Sequence, residues 1–162
     1  MIAFNKYLTN IVERAADEAR IDQSATFEAQ HLLLALAGEP EPTTEQILAA
    51  VGLDHEAIRA MLDREFEESL RSVGVTVTAS DLPRPSNSLK DPKPGTSARL
   101  AMERGFSSVA HKKDLRPAHL LLGILRASTG TVPRALAIAG IDQADLEAQV
   151  VEALDAGKPA RG

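Results

Sequence analysis

The amino-acid sequence predicts an all-α fold: eight helices arranged as a pseudo-twofold duplication of a four-helix repeat. Alanine occurs 26 times in 162 residues, while aromatic residues make up 3% and tryptophan is missing. That balance favours closely packed helices over strands, which draw on β-branched and aromatic residues. Apolar residues also recur at helical spacing along most of the chain. The third observation is one offset of 88 residues that relates His31-Leu32-Leu33-Leu34 to His119-Leu120-Leu121-Leu122, Gly52-Leu53-Asp54 to Gly140-Ile141-Asp142, Ile58 to Leu146 and Leu62 to Val150. A single offset that holds across three helices marks a duplicated unit.

The elements follow in order. Asn5 is placed to cap a first helix whose stripe is Leu8, Ile11, Val12, Ala15 and Ala19. After the polar break Asp22-Gln23-Ser24, residues 29–37 are apolar nearly all round, which predicts a buried helix ended by Gly38 and the Pro40/Pro42 pair. Thr43 or Thr44 is expected to cap a short helix through Val51, and Asp54 a longer one carrying Ile58, Met61, Leu62, Phe66 and Leu70. Val73–Ala79 is short and extended in character, and Pro83, Pro85, Pro92 and Pro94 then crowd into a connecting loop. The second unit opens with Thr96 capping 97–107. Pro117 starts the apolar run His119–Leu125, Val132–Ala139 forms a short helix, and Asp142 caps a last one with Leu146, Val150 and Leu154. The organisation expected is repeat 1 over 1–72, a Pro-rich loop over 73–95, repeat 2 over 96–154 and a tail over 155–162, the two repeats burying their open faces in one domain.

Charge and composition narrow the function classes. A formal charge of −5 offers no uniformly basic surface for phosphates, so nucleic acid is not an expected partner. Residues 1–72 carry 6 basic and 14 acidic side chains, net −8, whereas residues 73–162 carry 12 and 9, net +3. The two units differ in surface character. With no cysteine, thiolate nucleophiles, disulfides and Cys-based zinc sites drop out. No stretch approaches the ~18 apolar residues of a membrane span, and the N-terminus lacks a basic region followed by an apolar one, so a cytoplasmic protein without a membrane partner is expected.

The motifs of catalysis are missing as well. There is no G-x-x-x-x-G-K-[ST] loop for ATP and no G-x-S-x-G elbow for a serine nucleophile. His31 and His119 sit at equivalent helix starts, where a ring nitrogen can satisfy nearby backbone groups, and both are read as structural. His55 and His111 have no ligand partner at a recognisable spacing. No catalytic residue, metal or cofactor is expected, and Glu65, Glu67 and Glu68 read as a solvated helix face.

The run His31–Leu36 followed by Ile47–Asp54, repeated as His119–Leu125 and Leu136–Asp142, resembles the double-repeat N-terminal domain of the Clp ATPase unfoldases over roughly residues 4–154. The resemblance implies an eight-helix, non-catalytic module that recruits substrates and adaptor proteins to an AAA+ ring feeding a peptidase. The chain is therefore expected to act as a free-standing recruitment domain that binds Clp substrates, adaptors or peptide ligands and modulates the Clp ATPase. The alternative is sequestration of cyclic-peptide antibiotics or other small ligands that target such domains.

The resemblance also singles out positions. Where many members read Gly-Thr-Glu-His, this chain has Glu28-Ala29-Gln30-His31 and Arg116-Pro117-Ala118-His119. In some members the glutamate helps bind phosphorylated arginine. Gln30 keeps hydrogen-bonding capacity without charge and Ala118 keeps neither, so phosphoarginine recognition in that manner is not expected. Arg116 is a candidate contact for an anionic partner. Phe4 and Tyr7 lie where the family often presents an aromatic face to adaptors and cyclic peptides, but the position opposite is Gly95, and both aromatics are weighed equally as core residues.

Overall fold

The computed structural model describes residues 2–74, 76 and 91–157. Eight α-helices are seen among them: α1 Ile2–Ile21, α2 Ala29–Gly38, α3 Pro42–Ala50, α4 His55–Ser72, α5 Thr96–Ser107, α6 Pro117–Leu125, α7 Thr131–Ile138 and α8 Gln143–Ala156. The four-helix order thus occurs twice. Most of the Pro-rich connection and the last five residues of the expected tail lie outside the described residues; of the stretch expected to be extended, Val73 (φ −106°, ψ 18°) and Gly74 (φ +85°) instead form the turn that ends α4, and the first two residues of the tail belong to α8.

Helix ends show which local signals decide the boundaries. Asp54 accepts from the Ala57 N–H at 2.7 Å and Asp142 from the Asp145 N–H at 3.0 Å, so both predicted caps form at equivalent places. Just before them, Gly52 (φ +72°) and Gly140 (φ +75°) take the left-handed conformation that ends α3 and α7. Leu53 N–H reaches back to the Leu48 carbonyl and Ile141 N–H to that of Leu136, each at 2.9 Å. Three starts differ from expectation. Asn5 lies inside α1, which is already helical at Ile2, and its carbonyl accepts from Thr9 Oγ1 at 2.9 Å. Glu41 rather than a threonine caps α3, accepting from the N–H of Thr43 at 3.3 Å and of Thr44 at 2.7 Å, because Pro42 is preset for the first turn and moves the start forward. Thr96 is the first residue of α5, and Gly95 is its cap residue.

The core is centred on α2 and α6. Leu32, Leu33, Leu34 and Leu36 are at most 2% exposed, and Leu120, Leu121, Leu122, Ile124 and Leu125 at most 3%, as expected for helices apolar on every side. Helix α1 lies on α2 and α5 on α6. The outer helices cross over: α4 packs on α7 and α8 on α3, so each unit covers part of the other. Gly123 lets α5 and α6 close up, because a Cβ there would collide with the Ala101 carbonyl oxygen.

One face differs from the sequence reading. Ile58, Met61 and Leu62 are buried as predicted, but the stripe continues through Glu65, which is 5% exposed, while Phe66 is 41% exposed. The spacing 58, 61, 62, 65 follows the helix, and at the last position α4 meets α7, whose Arg134 Nε donates to Glu65 Oε1 at 2.9 Å. Ser69 Oγ donates to the same oxygen at 2.7 Å. Glu65 is thus a buried partner across the two units and not part of a solvated face; Glu68 is exposed and pairs with Arg71.

Candidate functional site

The two units meet where the N-termini of α2 and α5 lie side by side. A parallel pair of two-residue strands, β1 Thr26–Phe27 and β2 Lys93–Pro94, joins them. Lys93 N–H donates to the Ala25 carbonyl at 3.2 Å and Gly95 N–H to that of Phe27 at 2.9 Å. The next residues then cap one another across the boundary. Glu28 Oε1 accepts from Ser97 N–H at 3.2 Å and Ser97 Oγ at 2.8 Å, while Ser97 Oγ accepts from Ala29 N–H at 2.9 Å. Thr26 Oγ1 donates to Glu28 Oε2 at 2.5 Å. Any Cβ on Gly95 would occupy the space of this carboxylate. Burial pushes the Glu28 carboxyl up, but hydrogen bonds from Thr26 and Ser97 bring it below its ordinary value.

Both histidines anchor helix starts. His31 Nδ1 accepts from Glu28 N–H and His119 Nδ1 from Arg116 N–H, each at 2.9 Å. With Nδ1 accepting, the His31 ring carries its proton on Nε2 and donates to Asp22 Oδ2 at 2.9 Å. Asp22 also accepts from Arg59 Nη1 at 2.7 Å. Burial raises the Asp22 carboxyl, yet the His31 hydrogen bond and the Arg59 charge leave it below its usual range. Glu18 bridges Arg59 and His55, giving His55 a carboxylate partner 37 residues away that no local spacing foretells.

Beside the cross-capped helices opens a cleft of about 460 Å³, the scale of a ligand site. One wall is the outward stripe of α5, Thr96, Ser97, Leu100 and Arg104; Ala101 and Ile124 also line it, and the opposite side is the loop 127–130 with the first turn of α7 through Arg134. Glu28, Ala29 and Gln30 close one end. Leu100 is 41% exposed.

The structure separates the residues expected to act together, and Gln30 alone among them lines this cleft. Phe4 is 7% exposed and stacks edge-to-face on Phe106, with centroids 6.2 Å apart and planes at 84°, so it is a packing residue. Tyr7 is half-buried; its hydroxyl is enclosed without a hydrogen-bond partner, and burial, with the charges of Glu41 and Glu39, pushes its ionisation well up. Ala118 is 2% exposed. Arg116 is half-buried and donates from Nη2 to the Leu154 carbonyl near the end of α8. Leu100, Arg104 and Ser97 were missed; the signal that could have found them is the i, i+4, i+8 row Thr96, Leu100, Arg104 on α5. Among the described residues no three His, Asp or Glu gather to hold a metal, and no helix is long and apolar enough to cross a membrane.

The family model described as the Clp repeat (R) N-terminal domain matches residues 3–91, more than half of the chain. The chain belongs to the Clp N-terminal domain family. Twenty-one chains of solved structures match it, among them the N-terminal domain of the caseinolytic protease associated chaperone ClpD from Arabidopsis thaliana, with a TM-score of 0.57 and 18% identity over 92% of each chain. At that identity the likeness speaks for the fold, the all-α Clp N-domain architecture. No curated protein matches the sequence significantly. Clp N-domains are in general protein-interaction modules that bind substrates and adaptors and are not themselves catalytic.

Proposed function

We propose that this chain is a non-catalytic interaction module of the Clp proteolysis system, binding substrates, adaptors or peptide ligands and modulating the Clp ATPase by competing for them. The observation that carries the reading is the cleft at the junction of the two units, walled by α5 on one side and the 127–130 loop and α7 on the other, and offering exposed apolar surface at Leu100 beside hydrogen-bond donors. Interaction surfaces combine an apolar centre with polar groups that fix orientation. The module acts by binding alone.

The test is reconstitution. The chain is titrated into a matching Clp ATPase with its peptidase and a fluorescent model substrate, and degradation and ATP hydrolysis are followed. The expected result is a dose-dependent change in degradation rate, with no ATP hydrolysed by the chain alone. Unchanged degradation over a wide concentration range, combined with no binding of substrate or adaptor, overturns the proposal.

A further inference from the structure

Three ionisable groups line the cleft, and they are not equally satisfied. Both oxygens of Glu28 are occupied by Ser97 and Thr26. The guanidinium of Arg134 donates from Nε to Glu65 and, at 3.5 Å, from Nη2 to Thr131 Oγ1, yet its side chain remains 57% exposed. Arg104 is half-buried and its guanidinium has no hydrogen-bond or ion-pair partner among the described residues. A guanidinium withdrawn in part from water without a counter-charge favours any ligand that brings one. The lining adds the hydroxyls of Ser128 and Thr129, so the surplus is of donors and positive charge.

We infer that the cleft takes a short, extended, acidic peptide segment, its carboxylates on Arg104 and the exposed edge of Arg134 and one aliphatic side chain on Leu100. The inference rests on the interaction reading above and names its ligand class. Thr96 to Arg104 spans about 12 Å of helix at ~1.5 Å per residue, the reach of about four extended residues. The apolar contact is supplied by Leu100, 41% exposed, over a floor in which Ile124 and Val132 are buried. Charge complementarity fixes the sign: the lining holds two arginines against one carboxylate, Glu28, whose oxygens are already taken by Ser97 and Thr26.

The experiment uses fluorescein-labelled, end-blocked peptides Glu-Asp-Leu-Asp-Glu, Lys-Lys-Leu-Lys-Lys and Gln-Asn-Leu-Asn-Gln in fluorescence anisotropy against the full chain. The acidic peptide is expected to bind roughly tenfold tighter than the neutral one, and to weaken on raising salt to about 0.3 M. Arg104→Gln is expected to weaken it about fivefold, and Arg104→Glu to shift preference to the basic peptide; Arg104 holds no contact whose loss would unfold the chain. Amide NMR shifts should centre on Leu100 and the 127–131 loop. Equal binding of acidic and basic peptides, indifference to both Arg104 variants, or shifts centred on another face overturns the inference. If Arg104→Gln weakens the acidic peptide as expected yet modulates degradation as the parent chain does, the inference stands and Clp modulation uses another surface; if the variant binds the acidic peptide like the parent while degradation is still modulated, the inference fails and the interaction reading stands. If the parent chain leaves degradation unchanged and binds neither substrate nor adaptor, the interaction reading itself fails.

Discussion

Glu28 illustrates what one side chain does at a boundary. Its carboxylate receives hydrogen bonds from the opposite unit, so removing it leaves the first turn of α5 without a side-chain cap and frees Ser97. Glu28→Ala is expected to lower unfolding free energy by about 1 kcal/mol in urea titrations at neutral pH, the scale of a lost N-cap. The pH dependence has a definite sign. Glu28 and Asp22 both titrate below their ordinary values of 4.5 and 3.8 in the folded chain, so their contribution is fully present above those values and is lost as pH falls through the lower folded ones. Urea midpoints should therefore drop between pH 5 and pH 3 by less in the Glu28→Gln, Asp22→Asn double variant than in the parent. Ala118 makes the opposite point. A glutamate at this 2% exposed site would bury a carboxylate without a partner, so Ala118→Glu should cost about 3 kcal/mol, whereas the half-buried Gln30 should accept Glu nearly neutrally. Thermal melts of the two variants compare them directly. Asp54 and Asp142 were readable in the sequence because a cap bonds three residues ahead; Glu28 was not, because its partner is 69 residues away.

Helix faces were legible where the neighbour is local or apolar, and obscured where two units meet through charge. The stripe of α4 reads correctly to Leu62, but an apolar pattern prefers Phe66 over Glu65, and nothing in the sequence announces Arg134 arriving from α7. The pair has an asymmetric energetic consequence. Arg134→Ala leaves a buried carboxylate with only Ser69 to answer it and should destabilise by about 2 kcal/mol, while Glu65→Met replaces the charge with apolar volume and should stay within about 1 kcal/mol of the parent. Chemical denaturation distinguishes the two, and equal losses would mean that the ion pair itself carries the stability. Close approach is the other element-level constraint. Gly123→Ala places a methyl against the Ala101 carbonyl and should cost about 1–3 kcal/mol by forcing α5 away from α6. Its counterpart at the 88-residue offset is Ala35, so the two inner helix pairs cannot be identical in spacing.

At the scale of the molecule, the duplicated pattern reveals eight helices because each unit repeats the Gly-apolar-Asp turn and cap and the same apolar run, and the family model matches residues 3–91. What the pattern does not reveal is how deeply the units interlock. Helix α4 depends on α7 and α3 on α8, the β1–β2 pair and the Glu28–Ser97 exchange both cross the boundary, and the leucines of α2 face α6 as well as their own unit. A half chain would therefore keep its local helix signals and lose its partner surface. Residues 1–76 alone leave the four near-fully buried leucines of α2 short of their cover, and each fully buried leucine contributes about 1.5–3 kcal/mol relative to exposure. That exceeds what short helices recover from propensity, since isolated helices under ~12–15 residues are marginal in water. The expected outcome is that residues 1–76 and residues 91–162, purified separately, show weak helical circular dichroism and no cooperative melt, and that mixing restores both. A cooperative melt in either half alone would show that each repeat is a folding unit in its own right, and that the crossed packing adds affinity between two finished domains and does not create one.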